Sequence, residues 1–253
     1  MNTAYKLEEM PQGFLLFTIT RPEKRNAINY DVLEGLEVAI EKMKDPAYKA
    51  LVVTGEGEKA FCSGGDLSVF HTLKTEDQAY GMLSMASKIL VKLLMLPKPT
   101  IALINGTAMG GGCELATACD FRLAKAGVKA GFVQGTQAIT TGWGGGTMLF
   151  EKISASSAMK LLMEAKMVEV EKLVELGYID AVFEGDLMES SLEYLKNILA
   201  IEAGVLEAYK TMLVRKWTNT GLAARIEEEV RTNSRLWESD AHHEVVNKFL
   251  AKK

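Results

Sequence analysis

Residues 101–120 read IALINGTAMGGGCELATACD, and no other stretch limits the fold of this chain as much. It begins as a short apolar run of the kind a buried strand uses. Asn105-Gly106 interrupts the run with a strong turn signal. Three consecutive glycines follow, Gly110, Gly111 and Gly112, and then CELATAC carries helix formers without a breaker. The reading is strand, turn, glycine-rich bend, helix. Glycine lets a backbone approach a ligand closely, and the first amides of a helix have no internal partner and sit at the positive end of its dipole. Amides aimed from such a place can hold a phosphate or a developing oxyanion. Glu114 stands just inside the first turn. On these residues alone two readings stay open. The glycines shape a site, or they only permit tight strand–helix packing, with Glu114 an ordinary acid favoured by the dipole.

A length of 253 residues allows one large domain, or one domain and a small appendage, with ample core. A net charge of −4 and the lack of a polybasic block exclude a nucleic-acid footprint. No apolar run approaches the length of a membrane span. The opening MNTAYKLEEMPQG has no cationic segment before an apolar core, so no signal peptide is expected. Cys62, Cys113 and Cys119 are an odd number in apolar surroundings and read as reduced and buried, which fits the cytoplasm. His71, His242 and His243 make no metal-ligand spacing with them, so no metal is expected.

Strands are expected at 14–20 (FLLFTIT), 50–54, 121–124 and 178–183, and helices at 31–43 and 76–96. Asp66 is a candidate cap for a helix after the GEGEKAFCSGGDL loop. Residues 129–147 read as glycine- and threonine-rich loop. From Ser154 onward the pattern is helical, with helices at 155–164, 168–176, 187–201, 202–215, 221–237 and 241–252. Alternating strands and helices call for a mostly parallel sheet with right-handed crossovers. A second glycine cluster, Ser63–Gly64–Gly65, also precedes a helix. Two such bends are what a paired backbone-donor site requires.

RPEKRNAIN, then AFCSGGDL, then PKPTIALINGTAMGGGCELATACDFRLA, in that order, resemble the crotonase family, the enoyl-CoA hydratase/isomerase superfamily. The resemblance implies an α/β fold, a ClpP/crotonase-like spiral of β-β-α units over residues 1–195. A helical region over 196–253 would serve trimerisation and closure of the CoA site. It also implies homotrimers, often paired into hexamers, an acyl-CoA thioester as substrate and no separate cofactor, coenzyme A being part of the substrate. The thioester oxygen would sit between the amides of Gly65 and Gly111, each donor supplying on the order of 3 kcal/mol of enolate stabilisation. Glu114 matches the first catalytic glutamate of the family's hydratases, a general acid or base. The second falls at Thr136 in GFVQGTQAITTGWGGGT, and no carboxylate occurs between Phe132 and Phe150. Threonine takes no proton at neutral pH but can position a water or a substrate carboxylate.

By the same resemblance Lys24, Arg25, Ala27 and Ile28 lie near the CoA moiety. Ala60, Ser63, Gly64, Asp66 and Leu67 border the pantetheine path, and Phe249 and Lys252 of KFLAKK approach the adenine and phosphates. Trp143 reads either as an acyl-pocket wall or as a packing aromatic. Met82, Met85 and Met95 read as core filler, and Cys113 as a small buried side chain rather than a nucleophile. Hydration of a 2-enoyl-CoA usually needs two carboxylates. A single one suffices for a double-bond shift, and decarboxylation of a malonyl-type CoA forms the enolate directly. A non-catalytic acyl-CoA-binding scaffold is the alternative of another class.

Overall fold

The structure, a computed structural model, describes residues 4–251. The chain opens with an antiparallel hairpin, β1 (Tyr5–Met10) and β2 (Phe14–Ile19), and a helix, α1 (Tyr30–Lys42), whose first turn is capped where Asn29 Oδ1 accepts from Val32 N at 3.1 Å. Three strand–strand–helix units follow. The first is β3 (Ala50–Gly55), β4 (Ala60–Cys62), the short α2 (Leu67–Phe70) and the long α3 (Glu76–Leu94). The second is β5 (Thr100–Ile104), β6 (Thr107–Met109) and α4 (Gly111–Ala118), and the third β7 (Phe121–Lys125), β8 (Lys129–Gly131) and α5 (Gly145–Lys152). Then come α6 (Ala155–Glu164), β9 (Val168–Glu169), α7 (Val170–Glu175) and β10 (Ala181–Phe183).

Each unit gives its first strand to a six-stranded sheet of order β1-β2-β3-β5-β7-β10 and its second to a four-stranded sheet of order β4-β6-β8-β9. All pairings are parallel except the β1–β2 hairpin and β8–β9. The register sets Leu51 against Thr100 and Ile101 against Phe121. Every residue of β3 and β5 is buried, as central strands covered on both faces require. This is the expected α/β spiral of β-β-α units.

The tail is helical: α8 (Leu187–Ala200), α9 (Ala203–Asn219), α10 (Leu222–Trp237) and α11 (Asp240–Leu250). The buried face of α10 carries Leu222, Ile226, Val230, Asn233 and Trp237 at helical spacing, and it lies along α3 and α5. The division at 195/196 falls inside α8, where Leu195 is fully buried under the large sheet. Other departures have local causes. The loops read at 60–62, 107–109 and 129–131 are strands of three residues, too short for periodicity to register. Residues 145–152 are helical because the amides of Gly145, Gly146 and Thr147 meet carboxylates from elsewhere in the chain. The helix read at 168–176 starts with two residues paired to β8.

Candidate active site

The two glycine bends meet. Gly64 has φ +94°, and a Cβ there would stand 3.1 Å from Gly111 N and 3.2 Å from Met109 O, so the close approach of the two loops demands glycine. Among the described residues neither the Gly65 amide nor the Gly111 amide has a hydrogen-bond partner, although both neighbouring loops are tightly bonded: Ile28 N donates to Gly64 O (2.8 Å) and Asp66 N to Ile28 O (2.9 Å). Gly111 opens α4 and Gly65 lies just before α2. Both line one cavity of about 740 Å³. The Trp143 ring covers their floor: a Cβ on Gly111 would overlap it, and one on Gly65 would lie 3.5 Å from it.

Glu114 is 2% exposed, in the first turn of α4, and also lines the cavity. Four N–H groups hold its carboxylate. Gln134 Nε2 (2.9 Å) and Gly142 N (3.3 Å) donate to Oε1, and Trp143 N (2.8 Å) and Gly145 N (2.9 Å) donate to Oε2. Donors of this kind favour the carboxylate form. Burial works against them, and the charge of Glu229 adds to it, so the Glu114 pKa is pushed up to about 7. Glu229, on α10, accepts from Gly146 N (3.2 Å) and Thr147 N (2.7 Å) at the same end of α5.

The cavity is also lined by Lys24, Arg25, Ala27, Ser63, Gly64, Asp66, Leu67 and Trp143, all read as substrate-binding from the sequence. Asp66 caps α2 as expected and pairs with Arg21 at 2.6 Å. Burial raises its pKa, but Ser68 and Arg21 outweigh that and hold it below the usual range. Ile28 and Ala60 are buried behind the wall, where Ile28 pins the Gly64 loop and the Ala60 carbonyl accepts from Asn26 Nδ2 (2.7 Å). Thr136 is not brought to the cavity. It is exposed, and its hydroxyl donates to Val133 O (2.7 Å) within a 3-10 turn, Gln134–Gln137. The side chain of that turn that reaches Glu114 is Gln134. Lys252 and the side chain of Phe249 lie outside the described residues.

Three cavity residues carried no sequence signal. Gln134 sits two positions before the gap at Thr136, and only its proximity to that gap could have marked it. Asn233 and His242 come from α10 and α11, with no motif around them. His242 is 3% exposed, its Nδ1 lies 2.7 Å from Gln137 O, and its ring leans on Trp237 at 4.7 Å. Burial first, then the nearby His243 and Lys74, lower its pKa. The three cysteines are buried and free, their thiols pushed up to about 12 by burial, so Cys113 is a thiol beside Glu114 and no nucleophile. Among the described residues no cluster of three or more His, Cys, Asp or Glu is arranged to hold a metal ion, and no helix is long and apolar enough to cross a membrane.

Comparison with known proteins assigns the chain to a family. The Enoyl-CoA hydratase/isomerase family profile matches residues 9–253. The chain belongs to that family and is an enzyme of its class. It is 33% identical to the short-chain-enoyl-CoA hydratase of Clostridium acetobutylicum, over 72% of this chain and 70% of that protein. It is 30% identical to the ethylmalonyl-CoA decarboxylase of Xenopus tropicalis, over 91% of this chain and 77% of that protein. The crystal structure of enoyl-CoA hydratase from Bacillus halodurans superposes with a TM-score of 0.88 at 24% identity, covering 97% of this chain and 99% of that one, a likeness of fold.

Proposed function

We propose that this enzyme acts on a 2-enoyl-CoA thioester, polarising its carbonyl between the Gly65 and Gly111 amides and moving the C2 proton with Glu114. The observation that carries this is the pair of partnerless amides on one cavity with a buried carboxyl whose pKa lies at about 7. An acid or base poised near the working pH transfers protons best, and amides fixed before the reaction stabilise an enolate without reorganising. Coenzyme A is part of the substrate in this reading, and no separate cofactor takes part. Lys24 and Arg25 at the mouth are the cations for its phosphates.

A second reading is decarboxylation of a malonyl-type acyl-CoA. It is favoured by Glu114 being, among the described residues, the one deeply buried carboxylate on the cavity without an ion-pair partner, Asp66 being held by Arg21. Loss of CO₂ forms the enolate without a base. The 30% identity to an ethylmalonyl-CoA decarboxylase supports it too. A homotrimer, or a hexamer of two trimers, accounts for the exposed apolar stripe Val205, Tyr209, Met212 and Leu213 on α9. Three free buried cysteines support a cytoplasmic setting.

The test is a mass-resolved turnover assay with crotonyl-CoA, a 3-enoyl-CoA and methylmalonyl-CoA, run on the wild type and Glu114→Gln. Hydration or a double-bond shift by the wild type alone supports the first reading. CO₂ loss without hydration selects the second, and no turnover of any substrate contradicts both.

A further inference from the structure

The wall of the cavity has a surplus of acceptors. Gln134 Oε1 and Asn233 Oδ1 are buried without a hydrogen-bond partner, on side chains 9% and 1% exposed. His242 adds a third. A carbonyl only accepts, so the Nδ1 that faces Gln137 O carries the proton, and Nε2 keeps a lone pair that meets no donor among the described residues. All three are tied to Glu114. Gln134 bonds it directly. Asn233 packs on Gly142, where a Cβ would lie 2.8 Å from Asn233 Nδ2, and the Gly142 amide bonds Glu114. His242 leans on the far end of the 3-10 turn that begins with Gln134. The two buried oxygens and the cavity-lining imidazole call for a donor, and the small donor with two O–H groups is water. A carboxylate or phosphate at this place would meet only lone pairs.

We propose that His242 is the second acid/base residue of the site, its Nε2 taking one proton of a water whose other O–H is shared by the Gln134 and Asn233 oxygens, as that water adds to C3 of the enoyl chain. The inference rests on the 2-enoyl-CoA reading above. The water O–H bond breaks toward Nε2 and the O–C3 bond forms. The C2–C3 π pair moves into the enolate held by the Gly65 and Gly111 amides. The Glu114 carboxylic acid then gives its proton to C2. Imidazolium and carboxylate remain, and one proton passes between them through solvent to restore the start, so no net proton is consumed. The work of the absent second carboxylate comes from α11 instead of from the Thr136 turn.

The titratable neighbours of His242 are His243 on α11, His71 just after α2, Lys74 between α2 and α3, and Glu114 beyond the Gln134–Gln137 turn. The positive ones disfavour its protonation, and burial does so first. The active form therefore has neutral His242 and protonated Glu114.

The experiment is kcat/KM for crotonyl-CoA hydration across pH, on the wild type, His242→Asn and His242→Gln, with thermal melts of each. Asparagine can keep an N–H at the Nδ1 position for Gln137 O while removing Nε2. The wild type should give a bell, with its acid limb from His242 and its alkaline limb near the Glu114 pKa of about 7. Both variants should lose the acid limb and about 10²-fold in kcat, with KM little changed. If the variants hydrate with the acid limb intact, His242 is not the base and the 2-enoyl reading stands. If the wild type does not hydrate crotonyl-CoA, this inference falls, while the 2-enoyl reading then stands or falls on the double-bond shift. A wild-type profile without an acid limb overturns the inference without any variant.

Discussion

The two ends of α4 bear opposite kinds of buried polar cluster. At its N-terminus lie Glu114, the partnerless amides of Gly65 and Gly111, and the orphaned oxygens of Gln134 and Asn233. At its C-terminus three basic side chains converge. Arg122 Nη1 donates to Cys119 O (3.1 Å), Lys152 Nζ donates to the same carbonyl, and Lys210 pairs with Asp120. Arg122 also pairs with Asp180 at 3.0 Å, and Asp120 Oδ2 accepts from Thr100 N at 3.0 Å. α5 runs alongside in the same sense, its first amide on Glu114 and its last residue, Lys152, on Cys119 O. Both ends obey the helix dipole, acid and open amides at the positive end, basic side chains at the negative one. The difference is completion. The charged groups at the C-terminal end have protein partners and tie α9 and β10 to the core. The N-terminal end keeps donors and acceptors open on the cavity, which costs stability.

Removing the carboxyl at the open end should have the largest effect. Glu114→Gln is expected to lower turnover about 10³-fold while acyl-CoA binding persists, measured by calorimetry beside the assay. Gly111→Ala comes next. Its Cβ would push the Trp143 ring aside and disturb one of the two amides, for a loss of about 10²-fold in kcat. The closed end should respond in stability instead. Asp120→Ala strips Lys210 of its partner in a buried setting and should cost about 3–5 kcal/mol in urea unfolding, with kcat of the folded fraction unchanged.

How much of this was legible in the sequence follows the same division. Gly65, Gly111 and Glu114 lie in contiguous motifs where glycine is forced by backbone approach, so the order of residues carries the site. Short-range pattern also suffices for β3, β5, α1 and α3, whose apolar runs and caps are local. The closing wall was not legible. Asn233 and His242 reach the cavity because α10 lies along α3 and α5 and α11 folds back on the Gln134–Gln137 turn, which are facts of packing. Thr136 was misdirected by alignment to a family position. Its 3-10 turn points that side chain outward, and the two-residue offset gives the inward place to Gln134. The second strands of the units escaped notice because three residues carry no period.

Smaller effects sharpen the contrast through pH. Burial, then Arg122, pushes the Lys152 pKa down from 10.5 to about 7. Between those values the unfolded chain binds the extra proton, so stability rises with pH across that window. Lys152→Met should remove that slope in melts taken from neutral to alkaline pH. Glu229→Gln should act at the open end alone. It removes a negative charge that raises the Glu114 pKa, so the alkaline limb of kcat/KM should move to lower pH with little change in maximal rate.

The most direct measurement is exchange of the C2 proton of butyryl-CoA in deuterated water, followed by mass spectrometry. It requires only that the amides stabilise an enolate and that Glu114 moves the proton. The wild type should incorporate deuterium at C2, and Glu114→Gln should bind the thioester without exchanging it. Equal exchange by both proteins, or none by the wild type with the thioester bound, would contradict the account.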